Sequence, residues 1–105
     1  MDVAPPARNQ GIGRDELLEV LEVFLQASWT EVRTLQEAMA AGDLLRMAVA
    51  AHSLKGGALN LGMKEVAHLA RRLELAAKKA ALREAEGCLE TLGRRLQDLA
   101  AAVQG

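Results

Sequence analysis

The chain has 105 residues, of which 50% are hydrophobic and 26% charged, with one Trp, one Phe, no Tyr and a formal net charge of -1 at pH 7. That length allows one small domain, and the lack of β-branched and aromatic runs excludes an all-β fold. The balanced charge excludes an overall field that would hold nucleic acid or an anionic membrane, and the single cysteine, Cys88, excludes an internal disulfide.

Residues 1–13 hold Pro5, Pro6, two glycines and little apolar material. They are expected to form a flexible lead, without the apolar core of a signal peptide. Residues 14–105 then form the folded part. Asp15 is the expected N-cap of a first helix in which Leu17, Leu21, Phe24, Leu25, Ser28, Val32, Leu35 and Met39 recur at helical spacing. Gly42 stops it, and a bend or break is expected near Ser28-Trp29-Thr30. Trp29 is expected in the core or at a bundle end.

Asp43 caps a second helix that ends at Gly62. On a wheel of about 100° per residue, Leu44, Met47, Ala51, Leu54, Ala58 and Leu61 share one arc, the core stripe. A third helix, Lys64 to Lys79, turns Val66, Leu69, Leu73 and Ala77 inward. The fourth has the most regular seam: Leu82, Ala85, Leu89, Leu92, Leu96, Leu99 and Val103. Cys88 flanks that seam as a small packing residue. Leu, Ala, Glu, Arg and Lys dominate throughout, and all favour helix. The short connections make neighbouring helices antiparallel, so the expected fold is an all-α, up-down four-helix bundle. No window is apolar over a transmembrane length, which points to a soluble cytoplasmic protein.

The second helix contains AHSLKGGALNLG, residues 51–62, with two adjacent glycines where each costs about 0.5–1 kcal/mol relative to alanine. His52 lies about 130° from the centre of the core stripe and so faces outward. Lys55, one turn on, shares its face, as do Gly56 and Leu59, with Leu45 and Val49 on the N-terminal side. A histidine nucleophile needs an accessible nitrogen, and a phosphoryl group on it needs nearby positive charge. A docking partner needs apolar contact and a low surface, which Gly56 provides. Gly57, on another face, is expected to serve packing between helices.

His52-Ser53-Leu54-Lys55-Gly56-Gly57-Ala58, followed by Leu61-Gly62, resembles the H-x-L-K-G-x-A-x-x-L-G signature of histidine-containing phosphotransfer domains, and the resemblance spans about Arg14 to Val103. It implies that His52 is the phosphoacceptor, that Lys55 stabilises the phosphoryl group, and that Gly56 leaves room for a response-regulator receiver domain. Family members commonly place Gln or Glu 22 residues after the histidine, and here that position is Glu74. Its carboxylate on Nδ1–H would fix the tautomer and leave Nε2 as the nucleophile. The short N-terminal helix that covers the bundle in many members has no obvious counterpart in the proline-bearing lead.

Other constellations lead nowhere. Gly57 and Gly62 have phosphate-loop spacing, but Met63-Lys64-Glu65 follow where Lys and then Ser or Thr are required. His52 and His68 have no third metal ligand at suitable spacing, and His68 is expected to be solvated. Arg71-Arg72 and Lys78-Lys79 are short basic pairs that read first as solvated surface, with attraction of an acidic partner the lesser alternative. The expected function is that of a phosphorelay intermediate carrying a phosphoryl group on His52 between receiver aspartates, with a sensor or hybrid histidine kinase upstream. No cofactor is expected on this chain, and the Mg2+ of the reaction would sit in the receiver. The chain would be a phosphocarrier and not an enzyme, and an outward histidine face suits a monomer. Two alternatives stay open: the histidine-bearing substrate domain of a chemotaxis-type kinase, and a helical adaptor without phosphate chemistry.

Overall fold

The computed structural model describes residues 13–104. Four α-helices make up nearly all of that span: α1 (Arg14–Ala41), α2 (Leu44–Asn60), α3 (Lys64–Lys78) and α4 (Leu82–Gln104). Each helix packs on its neighbours in the chain, α1 closes on α4, and the diagonal pairs do not meet. With connections at residues 42–43, 61–63 and 79–81, this is the up-down antiparallel bundle that the hydrophobic spacing implies.

The turns show why the helices stop where they do. Gly42 and Gly62 both take φ +70°, a left-handed conformation that glycine reaches without a side-chain clash. The chain then folds back, so that Asp43 N–H donates to the Ala38 carbonyl at 2.8 Å and Met63 N–H to the Ala58 carbonyl at 2.9 Å. The third turn has the same form, with Ala81 N–H on the Ala76 carbonyl at 2.8 Å, but its left-handed residue is Ala80, at φ 56°.

At the start of α2, Asp43 Oδ1 accepts the Arg46 N–H at 3.0 Å, as expected of a cap. The start of α1 differs from expectation. Gly13, not Asp15, is the capping residue, and its N–H donates to Glu16 Oε1 at 3.2 Å. Asp15 lies within the first turn, where a carboxylate still favours the positive end of the helix. Of the expected lead, only Gly13 lies within the described residues.

The expected break at Ser28-Trp29-Thr30 is absent: α1 runs unbroken for 28 residues. Ser28 faces the core, and Thr30 Oγ1 donates back to the Gln26 carbonyl at 3.1 Å, a bond made within the continuous helix. Trp29 is neither core nor bundle end. It is 37% exposed and lies along an open groove between α1 and α4, with Val32, Met39, Leu89 and Gly93.

The core is aliphatic. Leu35, Met47, Leu73, Leu92 and Leu96 are fully buried, and each such side chain contributes about 1.5–3 kcal/mol of transfer free energy. Along α4, Ala85, Leu89, Leu92 and Leu96 are buried, Leu99 and Val103 pack at the edge, and Cys88 is buried beside them. Three expected core residues are exposed because they sit at helix ends: Leu17 and Leu82 in first turns, and Leu61 just past the last residue of α2. Ala50 joins the core in their place. α2 buries alanines at 50, 51 and 58 and α3 buries alanines at 67, 70, 76 and 77, and this pair of helices packs most extensively. Backbones that close bring polar side chains at the interface edge within reach of one another. No described helix is long and apolar enough to cross a membrane.

Candidate functional site

α2 buries Met47, Ala50, Ala51, Leu54 and Ala58. The opposite face therefore turns outward, and the His52 side chain is 67% exposed. On α3, Glu74 sits at the edge of the stripe formed by Ala70, Leu73 and Ala77, with only 11% of its side chain exposed. It is the only buried charged residue among those described. A carboxylate taken from water on that scale is destabilising unless it is paired and hydrogen-bonded.

Three cations or donors meet that need. His52 Nδ1 lies 3.1 Å from Glu74 Oε2, Lys55 Nζ donates to Oε1 at 3.0 Å, and Lys78 Nζ lies 3.4 Å from Oε2. Burial pushes the Glu74 carboxyl up, but the hydrogen bonds from Lys55 and His52 and the charges of Lys55 and Lys78 outweigh it. The carboxyl is held below its ordinary value of 4.5 and is ionised at neutral pH. An ionised carboxylate only accepts, so Nδ1 of a neutral His52 must carry the ring proton. The lone pair then resides on Nε2, on an imidazole that is mostly in solvent.

The glycines of α2 do not serve the interior. A Cβ built on Gly56 would meet nothing within 4 Å. One on Gly57 would approach Phe24 Cε1 at 3.7 Å, an ordinary contact, so the expected packing role of Gly57 does not require glycine. What Gly56 leaves low is the outer surface, one turn from His52. The flanking aliphatics are equally open: Leu45, Val49 and Leu59 are 76%, 62% and 59% exposed. Such side chains singly mean little, but three around one histidine form an apolar frame.

The structure thus brings His52, Lys55 and Glu74 into direct contact, with Gly56, Leu45, Val49 and Leu59 on the same face. Lys78 was not anticipated at the site. Its i+4 spacing from Glu74 on α3 was the available signal. His68 is exposed, and no group of three or more His, Cys, Asp or Glu side chains able to hold a metal occurs among the described residues. The arrangement is that of an exposed nitrogen nucleophile with a fixed tautomer, a lysine one turn away, and an open approach for a large partner.

Comparison with known proteins bears on this geometry. A family model described as the Hpt domain matches residues 19–104. Among solved structures, the crystal structure of histidine-containing phosphotransfer protein B from Pseudomonas aeruginosa is similar, with a TM-score of 0.81 and 29% sequence identity, over 91% of this chain and 84% of that chain. No curated protein sequence matches significantly.

Proposed function

The chain belongs to the Hpt family of histidine-containing phosphotransfer domains, which act in phosphorelays, and from this premise we propose that His52 carries the phosphoryl group between the aspartates of receiver domains. The observation that supports His52 is its pairing with Glu74 at 3.1 Å while 67% of its side chain stays in solvent. One nitrogen is tied down and the other is free.

Phosphotransfer needs little beyond positioning and charge stabilisation. The Nε2 lone pair attacks the phosphorus of an aspartyl phosphate in line. The N–P bond forms, the P–O bond to the aspartate breaks, and its electron pair returns to the carboxylate. Positive charge develops on the imidazole, and Glu74, hydrogen-bonded through Nδ1–H, offsets it. Lys55 sits one turn from His52 and pairs with the phosphoryl oxygens. Gly56 and the apolar frame of Leu45, Val49 and Leu59 admit the receiver surface. Transfer to a second receiver reverses each step, and on this reading the chain acts as a monomeric phosphocarrier and not as an enzyme. The Mg2+ that supplies charge neutralisation in such a transfer belongs to the receiver. A sensor or hybrid histidine kinase stands upstream, and the relay is cytoplasmic.

The test is incubation with a phosphorylated receiver. The expected product is an acid-labile, base-stable adduct on His52, absent in His52→Gln. Label that persists in His52→Gln, or disappears in His68→Gln, overturns the assignment. Receiver binding that is indifferent to phosphate and to His52 would indicate an adaptor instead.

A further inference from the structure

α3 divides its charges between two sides. Glu65 turns toward α4 and pairs with Arg95 at 2.9 Å, and Arg72 turns the same way toward Glu84 at 3.9 Å. Lys64, His68 and Arg71 remain on the side facing α2, at i, i+4 and i+7 spacing that keeps them on one face. There they line an open groove of about 520 Å³ with Ala67 and with Lys55 and Leu59 of α2. No acidic side chain lines it, and neither Lys64 nor Arg71 has an ion-pair partner among the described residues. Among the described residues Lys64 and Arg71 are thus two unpaired cations in one strip, next to Lys55, which pairs with Glu74.

The position of the strip gives it a direction. It begins at Lys55, one turn from His52, and continues toward the C-terminal end of α2. At the other end of the same face lie Leu45 and Val49. With a rise of about 1.5 Å per residue, Leu45 and Leu59 each lie about 10 Å along α2 from His52, on opposite sides. The strip thus begins beside the phosphoacceptor, with Leu59 inside it, while Lys78, paired with Glu74, lies on the other side of His52. A partner seated over His52 covers the strip as well.

We infer that Lys64, His68 and Arg71 form a docking strip that selects receivers bearing carboxylates on the surface that flanks their acceptor aspartate. The inference rests on the proposed phosphotransfer at His52. Complementary charge of this kind speeds encounter and rejects wrong partners, and it weakens as salt screens it.

The experiment uses the full chain, with Lys64→Glu and Arg71→Glu combined in one variant and Leu45→Ala with Val49→Ala in another. Two phosphodonors are compared: phosphoramidate, too small to use the strip, and a receiver domain that exchanges label with the wild-type chain. Phosphoramidate should label His52 equally in wild type and in the charge-reversed variant, and a matching urea midpoint shows that the variant is folded. Transfer with the receiver should fall about tenfold or more in the charge-reversed variant at low salt, and the gap should close near about 0.5 M salt, where the screening length is only a few ångströms. The apolar variant should lose transfer without that salt dependence. A charge-reversed variant that transfers at the wild-type rate at low salt overturns the strip. So does a short DNA duplex retained by the wild type and not by the variant, because the strip would then serve nucleic acid. Absence of label on wild-type His52 from both donors overturns the functional reading itself, a distinct result.

Discussion

His52 and Glu74 are separated by 22 residues and stand on different helices, yet His52 Nδ1 and Glu74 Oε2 meet at 3.1 Å across the α2–α3 interface. The antiparallel packing of those helices sets the register, and Lys55 and Lys78 close on the same carboxylate from either side. If Glu74 fixes the tautomer, its removal should release the ring. In Glu74→Ala the His52 imidazole should populate both neutral tautomers, read from its 15N chemical shifts, where wild type shows Nδ1–H. Phosphotransfer should slow by about tenfold, the scale of one hydrogen bond to a charged group. A variant with an unchanged tautomer and rate would remove Glu74 from the mechanism.

The same carboxylate makes a pH prediction. Its folded-state pKa lies below its ordinary value of 4.5, so the ionised form is favoured by folding. The stabilisation is complete above that ordinary value and disappears as pH falls through the lower folded-state value. Glu74→Gln should therefore be less stable than wild type at neutral pH, and the two should converge as pH falls through the lowered folded-state value and the wild-type carboxyl becomes protonated. Urea midpoints across that range measure it. A stability gap that persists unchanged at the acid end would mean that Glu74 contributes through packing and not through charge.

These residues also show what can be read from the chain alone. The outward face of His52 follows from helical periodicity, because one α2 stripe supplies all the core contacts of that helix. Helix ends at Gly42 and Gly62 follow from the conformational freedom of glycine, and the start at Asp43 from its side chain. The start of α1 was less legible because Glu16 reaches back to a residue with no side chain. Ser28 and Trp29 misled for a different reason: a hydroxyl and an indole suggest a break, but burial of one and exposure of the other fit an uninterrupted helix. Lys78 at Glu74 and the convergence of Lys64, His68 and Arg71 on Lys55 depend on the vertical register of α3 against α2. Periodicity within one helix carries no information about that register.

Cys88 is buried between α3 and α4, and burial raises its thiol above the ordinary value of 9.0, with Arg72 opposing the shift and Glu84 adding to it. Thiolate is the reactive form, so native Cys88 should resist alkylation at pH 8 and react at the rate at which the bundle opens. Comparing iodoacetamide labelling with and without urea tests this. Rapid labelling of the native chain would show that α4 is loosely docked.

Ala80 ends α3 at φ 56°, where Gly42 and Gly62 end their helices at φ 70°. A left-handed conformation costs an alanine about 1–2 kcal/mol, and glycine gives back part of that through its freer unfolded chain. Ala80→Gly should thus stabilise the bundle by about 0.5–1 kcal/mol, seen as a higher urea midpoint at unchanged slope. A lower midpoint would place the strain elsewhere in the turn.

At Gly56, stability and function should move in opposite directions. A methyl there meets nothing within 4 Å, so Gly56→Ala should raise stability by about 0.5–1 kcal/mol through helix propensity alone. Gly56→Gln should retain most of that gain while placing a long side chain on the face a receiver must approach, and transfer should fall. Gly57→Ala is the control: its Cβ would turn toward Phe24 at 3.7 Å, into the bundle and away from the partner. It should be stabilised to a similar degree and transfer at the wild-type rate. Thermal unfolding and transfer from one phosphorylated receiver, measured together on all three variants, separate access from folding. A Gly56→Gln chain that folds and transfers like wild type would show that the low surface beside His52 is not what admits the partner. Loss of transfer in that variant, with labelling by phosphoramidate intact, would show that the missing side chain is an opening for a protein surface.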